Sequence, residues 1–258
     1  CDGHGPNGRR VSTLLAGQLC STLESEWDPE LAVERVIKRA FLKLNVQLLR
    51  SQVDCAISGS TLVALLLSGT RVYAANVGDS RCVAGLRLDD GSYDAQEWTH
   101  DQKPDVPEEE QRLLAMGARL APLGDGHDGH MVNRIWLADK DTPGIAMSRS
   151  FGDVIATTVG VISEPVISEH ALSAAVRFVI LATDGIWEFI GSQEAVELVG
   201  KSLDAGASAD TTVCKLVLEA SRRWISHEHL ADDITVILLV ISPDGIASSA
   251  SASVGAAQ

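Results

Sequence analysis

The spacing of apolar residues along this chain switches from helical to strand-like and back, and that order excludes most architectures. Val11, Leu14, Leu15, Leu19 and Leu23 recur at helical spacing over residues 9–27. Asp28-Pro29-Glu30 then offers a cap, a first-turn proline and a first-turn acid for a second amphipathic helix. That helix carries Leu31, Val33, Ile37, Phe41, Leu44 and Leu48 and is expected to end near Arg50. Short runs follow, Ser60 to Leu67, Arg71 to Val77 and Arg81 to Leu86, broken by Ser68-Gly69 and Gly78-Asp79-Ser80; they predict an antiparallel meander. Pro107-Glu108-Glu109-Glu110 opens a helix that Gly117 closes. Phe178 to Ala182 reads as a buried strand, helices begin at Ser192 and at a capping Asp210, and Ile234 to Ile241 is a last apolar strand. This is not the strict alternation of a doubly wound sheet, and it predicts an α+β layered fold with antiparallel sheets. Residues 121–144, rich in Gly, Asp, His and Pro, are expected to be an irregular loop, and the Ala/Ser-rich residues 244–258 a disordered tail.

The 258 residues suit one large domain or two small ones and suffice for a sizeable core. Net charge is −14, from 35 acidic and 21 basic residues, which argues against binding nucleic acid or an anionic membrane. The longest apolar runs fall far short of the roughly 20 residues that span a bilayer. Five cysteines, an odd number with no C-x-x-C pair, read as free thiols of a reducing compartment. With no targeting signal visible, cytoplasm or nucleus is the default expectation. Cys1 is followed at once by Asp-Gly-His-Gly with no element leading into it, so the sequence is expected to start inside its domain.

Four acidic spots share a context. Asp2-Gly3 opens the chain, Asp79 follows Val77-Gly78, Asp184-Gly185 follows the strand at 178–182, and Asp232-Asp233 precedes the strand at 234–241. Carboxylates at strand ends can converge on one edge of a sheet, where hard cations such as Mg²⁺ and Mn²⁺ take oxygen ligands. His4, two residues from Asp2, is placed to supply a proton to a leaving group. Each spot also has a plainer reading. Asp-Gly is a common turn dipeptide, Gly78-Asp79-Ser80 suits a hairpin loop, and a lone histidine is more often structural. Spacing alone therefore stops at an acidic α+β domain suited to metal.

The segments around these aspartates go further. Asp2-Gly3-His4-Gly5, Gly59-Ser60-Thr61, Ala75 to Arg81, Thr99 to Pro104, Ala146 to Asp153, Ser163-Glu164-Pro165, Leu181 to Trp187 and Asp232 to Val236 occur in order, and the chain resembles the PPM family of metal-dependent, type 2C serine/threonine protein phosphatases. The resemblance implies a four-layer α-β-β-α sandwich, two antiparallel sheets flanked by antiparallel helix pairs. It assigns residues 1–243 to a catalytic domain with a flap at about 105–145. It implies two Mg²⁺ or Mn²⁺ ions and a weaker third. Asp2 would bridge the pair, Gly3 would ligate through its carbonyl, and Asp184 and Asp232 would complete the set. Asp79 would serve the third ion, which Asp184 shares, with Glu188 standing where aspartate is usual. A hydroxide between the two metals would attack phosphorus, and His4 matches the general acid. The implied partners are phosphorylated proteins, met by a monomer; no substrate-binding residue is identified.

The family's usual arginine for the substrate phosphate, and an acid that reaches a metal through water, would lie upstream of Cys1. Hence the alternative expectation of a phosphatase-like binding module without catalysis. The glycine- and histidine-rich stretch Gly124 to His130 lacks the spacing of a calcium loop and reads as part of the flap. Arg134 and Trp136, just beyond it, are expected to pack the flap rather than touch substrate.

Overall fold

A short strand, β1 (Gly3–His4), leads straight into α1 (Gly8–Glu26), and α2 (Val33–Arg50) follows. The structure, a computed structural model, describes residues 1–123, 132–229, 232–242 and 245–254. Each helix buries one stripe: Val11 and Leu15 in α1, and Val36, Ile37, Ala40, Phe41, Leu44 and Leu48 in α2. Asp28-Pro29-Glu30 does not cap α2 as expected. Asp28 Oδ1 accepts the Glu30 N–H at 3.0 Å, closing a turn on the aspartate's own side chain, and the helix starts only after an extended Ala32.

Five strands come next: β2 (Gly59–Ser60), β3 (Leu62–Ser68), β4 (Arg71–Val77), β5 (Arg81–Arg87) and β6 (Tyr93–Glu97). α3 (Pro107–Ala115) precedes β7 (Arg119–Pro122), β8 (Asn133–Leu137), β9 (Lys140–Ile145) and β10 (Phe151–Gly152). After α4 (Val154–Thr157) come β11 (Val166–Ala171), β12 (Val176–Ala182), α5 (Asp184–Trp187), α6 (Ser192–Asp204), α7 (Ala209–Glu228), β13 (Ile234–Ser242) and β14 (Gly245–Val254). The chain divides into two compact units, one of Cys1–Leu62, Ala75–Asp79 and Asp101–Ile167, the other of Val63–Ala74, Ser80–His100 and Ser168–Gln258.

The first unit holds the antiparallel pair α1–α2, a small sheet of order β1-β2-β10, and a three-stranded sheet of order β7-β8-β9. Phe41 of α2 lies against Phe151 of β10, with ring centres 5.8 Å apart. This sheet corrects an expectation: within 121–144, a stretch read as irregular, β8 and β9 form antiparallel strands, with β7 beside β8. Their ordering has a local cause. Ile135 and Ile145 join Leu113, Ala118, Met147, Ala156, Val159 and Val161 in one apolar cluster. Trp136 packs as expected, donating its Nε1–H to Ala121 O at 2.9 Å beneath the Arg119 guanidinium, while Arg134 donates to Gly144 O at 2.8 Å. The stretch Gly124 to His130 lies outside the described residues.

The second unit is built on an antiparallel sheet of order β14-β13-β12-β5-β6. Alternate residues of β12 face opposite ways. Phe178 and Ile180 pack under α6 and α7 with Val196, Val199, Val213, Leu216 and Val217. Val179 and Leu181 pack with Cys82, Ala84, Val72 and Ala74 on the other face. A helix layer, a sheet and strands of a second sheet (order β11-β4-β3) are thus stacked here, and the chain is a mixed, antiparallel α+β fold. The meander is split, however: β4 belongs to one sheet and β5 to the other, so Gly78-Asp79-Ser80 is a crossover and not a hairpin. Asp210 lies in the first turn of α7, whose cap is Ser208, accepting the Thr211 N–H at 3.2 Å.

The tail expectation also fails over residues 245–254, which pair antiparallel with β13 as an edge strand. An edge leaves a row of backbone donors and acceptors open, and a segment free of proline can satisfy them without contributing large side chains. The ordered structure therefore runs past residue 243. No helix among the described residues is long and apolar enough to cross a membrane.

Candidate functional site

In the first unit, Asp2, Gly3 and His4 are fixed by the central strand β2. Gly3 pairs with Ser60 and His4 with Gly59, and β10 takes the other side of β2. Thr61 clamps the start of the chain: its Oγ1 accepts the Asp2 N–H at 3.0 Å and its own N–H reaches Asp2 O at 2.9 Å. The same threonine limits the Asp79 loop. Gly78 has φ +105°, and a Cβ there would lie 2.6 Å from Thr61 Cγ2, so only glycine fits. Gln102 holds that loop by accepting the Gly78 N–H at 2.7 Å and donating to Asn76 O at 3.0 Å. Asp79 is buried.

His4 has a partner that the sequence reading did not assign. Its Nε2 lies 2.6 Å from Oδ2 of Asp153, whose side chain is buried while that of His4 is 28 % exposed. Ser150 Oγ donates to the same Oδ2 at 2.6 Å. A carboxylate only accepts, so Nε2 carries the proton in this pair and Nδ1 is left to exchange one. Asp153 sits at φ 44°, held by its N–H to Ser58 O at 3.0 Å. Gly59 makes room, since a Cβ there would collide with Asp153 Oδ2. The run Ser148-Arg149-Ser150-Phe151-Gly152-Asp153 was visible in sequence, but nothing in it names which atom faces His4.

In the second unit, Asp184 lies two residues past the end of β12, after the cap residue Thr183, and opens α5, and Asp232 lies just before β13. β12 and β13 are antiparallel neighbours, with Ala182 opposite Val236, so both aspartates lie at the same end of the sheet. Thr183 ties the two segments together: its N–H reaches Thr235 O at 3.1 Å and its Oγ1 accepts the Thr235 N–H at 3.0 Å. Glu188, exposed, follows one helical turn after Asp184.

Two observations suit this end of the sheet to a cation. Asp184 Oδ1 is buried with no hydrogen-bond partner, a costly state for a carboxylate oxygen. The Asp232 carboxyl titrates above its ordinary value, first because surrounding atoms desolvate it, then because the charge of Asp184 lies close. Asp233 and Glu188 push the same way, while the Asp233 N–H, 2.7 Å from Asp232 Oδ1, opposes them. Asp232 remains an exposed residue, so burial acts on it only in part. Among the described residues no three His, Cys, Asp or Glu side chains form a closed metal cage. Mg²⁺ is commonly held by one or two carboxylates and several waters, and such an open site is what that ion accepts.

Comparison with known proteins gives this chemistry a family. The profile of Protein phosphatase 2C matches residues 1–227. The chain is 32 % identical to Probable protein phosphatase 2C 73 of Arabidopsis thaliana, over 93 % of this chain and 69 % of that protein. With Probable protein phosphatase 2C 72 of the same plant the identity is 35 %, over 93 % of this chain and 75 % of the relative. With Probable protein phosphatase 2C 64 of Oryza sativa subsp. japonica it is 39 %, over 93 % and 57 %. Among solved structures, a serine-threonine phosphatase 2C from Toxoplasma gondii superposes with a TM-score of 0.78 at 21 % identity, covering 92 % of this chain and 82 % of that one. A C. elegans sex determining protein gives 0.72 at 21 %, covering 95 % and 54 %. The fold is theirs, and on the sequence match the chain belongs to the protein phosphatase 2C family of metal-dependent protein serine/threonine phosphatases.

Proposed function

We propose that this chain hydrolyses phosphoserine and phosphothreonine in proteins with the help of two Mg²⁺ or Mn²⁺ ions. The observation that carries the metal assignment is the orphaned Asp184 Oδ1 beside the raised Asp232 at one end of the sheet. In the second unit Asp184 and Asp232 are the ligands, with Glu188 a turn away for a weaker ion. In the first unit Asp2 and the Gly3 carbonyl are the ligands, with Asp79 serving the weaker site. Bound divalent ions would supply a hydroxide nucleophile and offset the charge of the phosphoryl oxygens.

The remaining work falls to the chain's own groups. Departure of a serine or threonine alkoxide needs a proton. His4 delivers it from Nδ1 while Asp153 Oδ2 holds Nε2 and fixes the ring. Ser150 fixes Asp153 in turn. The clamp of Thr61 on Asp2 keeps the ligand strand in register with this acid.

Asp184→Asn tests the metal assignment. Calorimetric titration with Mn²⁺ is expected to lose its tight phase, and phosphopeptide turnover its metal dependence. Near-normal Mn²⁺-dependent rates in that variant would remove Asp184 from the ligand set.

A further inference from the structure

The buried polar residues of the first unit form a chain of contacts that reaches from helix α3 to His4. Glu109, in the first turn of α3, is only 4 % exposed. Its carboxylate takes the Arg149 guanidinium through Nη2 at 2.6 Å and Nε at 3.1 Å. It also takes Ser148 Oγ at 2.5 Å and Arg112 Nη2 at 2.8 Å. Arg112 and Arg149 are themselves anchored on backbone carbonyls, Gly160 O at 3.0 Å and Glu164 O at 2.8 Å. Residues 148 and 149 are therefore held at both their side chains by one carboxylate. The next residue is Ser150, which donates to Asp153 Oδ2, and that oxygen also meets His4 Nε2.

A buried carboxylate with this many donors is costly unless every one is satisfied. A hydrophobic contact would fasten α3 to the segment at lower cost. What the network adds is direction: it fixes Ser148 and Arg149 in position and rotation, and hence where the Ser150 hydroxyl points.

We propose that Glu109 is a positioning residue for the general acid, acting through Arg149, Ser148, Ser150 and Asp153 on the ring of His4. The inference rests on the reading of His4 as proton donor. α3 also carries Leu113, which packs with Ile135 and Ile145 of the β7-β8-β9 sheet. The helix that seats that sheet thus also sets the acid.

A purely structural role and a positioning role separate by leaving group. An aryl phosphate departs with little need of a proton; a phosphoserine peptide needs one. Glu109→Gln is expected to raise the ratio of aryl phosphate to phosphopeptide turnover about tenfold, a fraction of what a general acid contributes. Ser150→Ala, which leaves the Glu109 network intact, is expected to move the ratio the same way. In a His4→Ala background, adding Glu109→Gln should change the ratio by no more than about twofold, because both changes act on one proton transfer. Equal slowing of both substrates by Glu109→Gln, or an unchanged ratio in Ser150→Ala, would overturn the positioning role; Ser150→Ala decides alone if Glu109→Gln does not fold. A flat ratio in His4→Ala would overturn the acid assignment and this inference together. A normal His4→Ala effect with flat Glu109→Gln and Ser150→Ala sinks the inference only.

Discussion

At the scale of single residues, the His4–Asp153 pair is held by exclusions as much as by attractions. Gly59 lies beside the Asp153 carboxylate, and an added Cβ would strike Oδ2 and come within 2.5 Å of Phe151 O. Gly59→Ala must push either the carboxylate or strand β10 aside. The expected cost is about 1–3 kcal/mol of stability by overpacking. Phosphopeptide turnover should fall further than that loss explains, which thermal unfolding measured beside kinetics would resolve. Retained Asp153-dependent turnover in that variant would mean the pocket tolerates the methyl group. This contact shows where sequence reading stops. Asp2, His4, Asp79, Asp184 and Asp232 stand out because each adjoins a glycine or a strand end. Asp153 also follows a glycine, but its role depends on which of its atoms meets His4 Nε2, and that is set by strand pairing across 149 residues of sequence.

At the scale of elements, α3 is the one whose electrostatics make a measurable claim. Burial alone would raise the Glu109 carboxyl. Hydrogen bonds from Arg112, Arg149 and Ser148, with the charge of Arg149, outweigh it and hold the pKa down at about 2 against an ordinary 4.5. A depressed folded-state pKa contributes stability that is complete above pH 4.5 and is lost as pH falls toward 2. Acid unfolding of the native chain and of Glu109→Gln should therefore converge across that window. The native advantage that disappears is on the order of 3 kcal/mol. A pH-independent gap between the two would show that Glu109 is not ionised where the network needs it. Element types were largely legible: the 3.6 spacing of α1 and α2, the proline and glycine that bound α3 and the apolar run of β13 announce themselves. The splitting of the meander at Gly78 was not, because a glycine and an aspartate at a turn suit a hairpin and a crossover equally. The strands β8 and β9 were hidden for another reason, since Ile135 and Ile145 find their partners in Leu113 and Val161, far along the chain.

At the scale of the whole molecule, a net charge of −14 makes the folded chain sensitive to divalent cations. Carboxylates crowded around Asp232, whose pKa they help to raise, store repulsion that a bound ion relieves. Mn²⁺ at about 100 times its dissociation constant should stabilise the native state by about 2.7 kcal/mol for one site. The melting temperature should rise accordingly, and NaCl of equal ionic strength should not reproduce the rise. Asp184→Asn should abolish most of the increment. A shift that survives in that variant would point to diffuse screening by the acidic surface instead of a site. The pairing of residues 245–254 with β13 belongs to this scale too: composition there describes a solvated tail, whereas the open edge of a nine-residue strand gives it a place to dock.

The two duties of α3 restrict how relatives of this chain can diverge. Glu109 and Leu113 are four residues apart, one turn of helix, so they face the same side and meet the segment that holds Asp153 and the β7-β8-β9 sheet respectively. The turns that join β7, β8 and β9 can be lengthened or redrawn without touching the contacts from Glu109 to His4, so long as Ile135 and Ile145 keep their places beside Leu113. A single residue inserted between Glu109 and Leu113 cannot be absorbed in the same way. It would turn one of them by about 100°, separating the β7-β8-β9 sheet from the segment that holds Asp153.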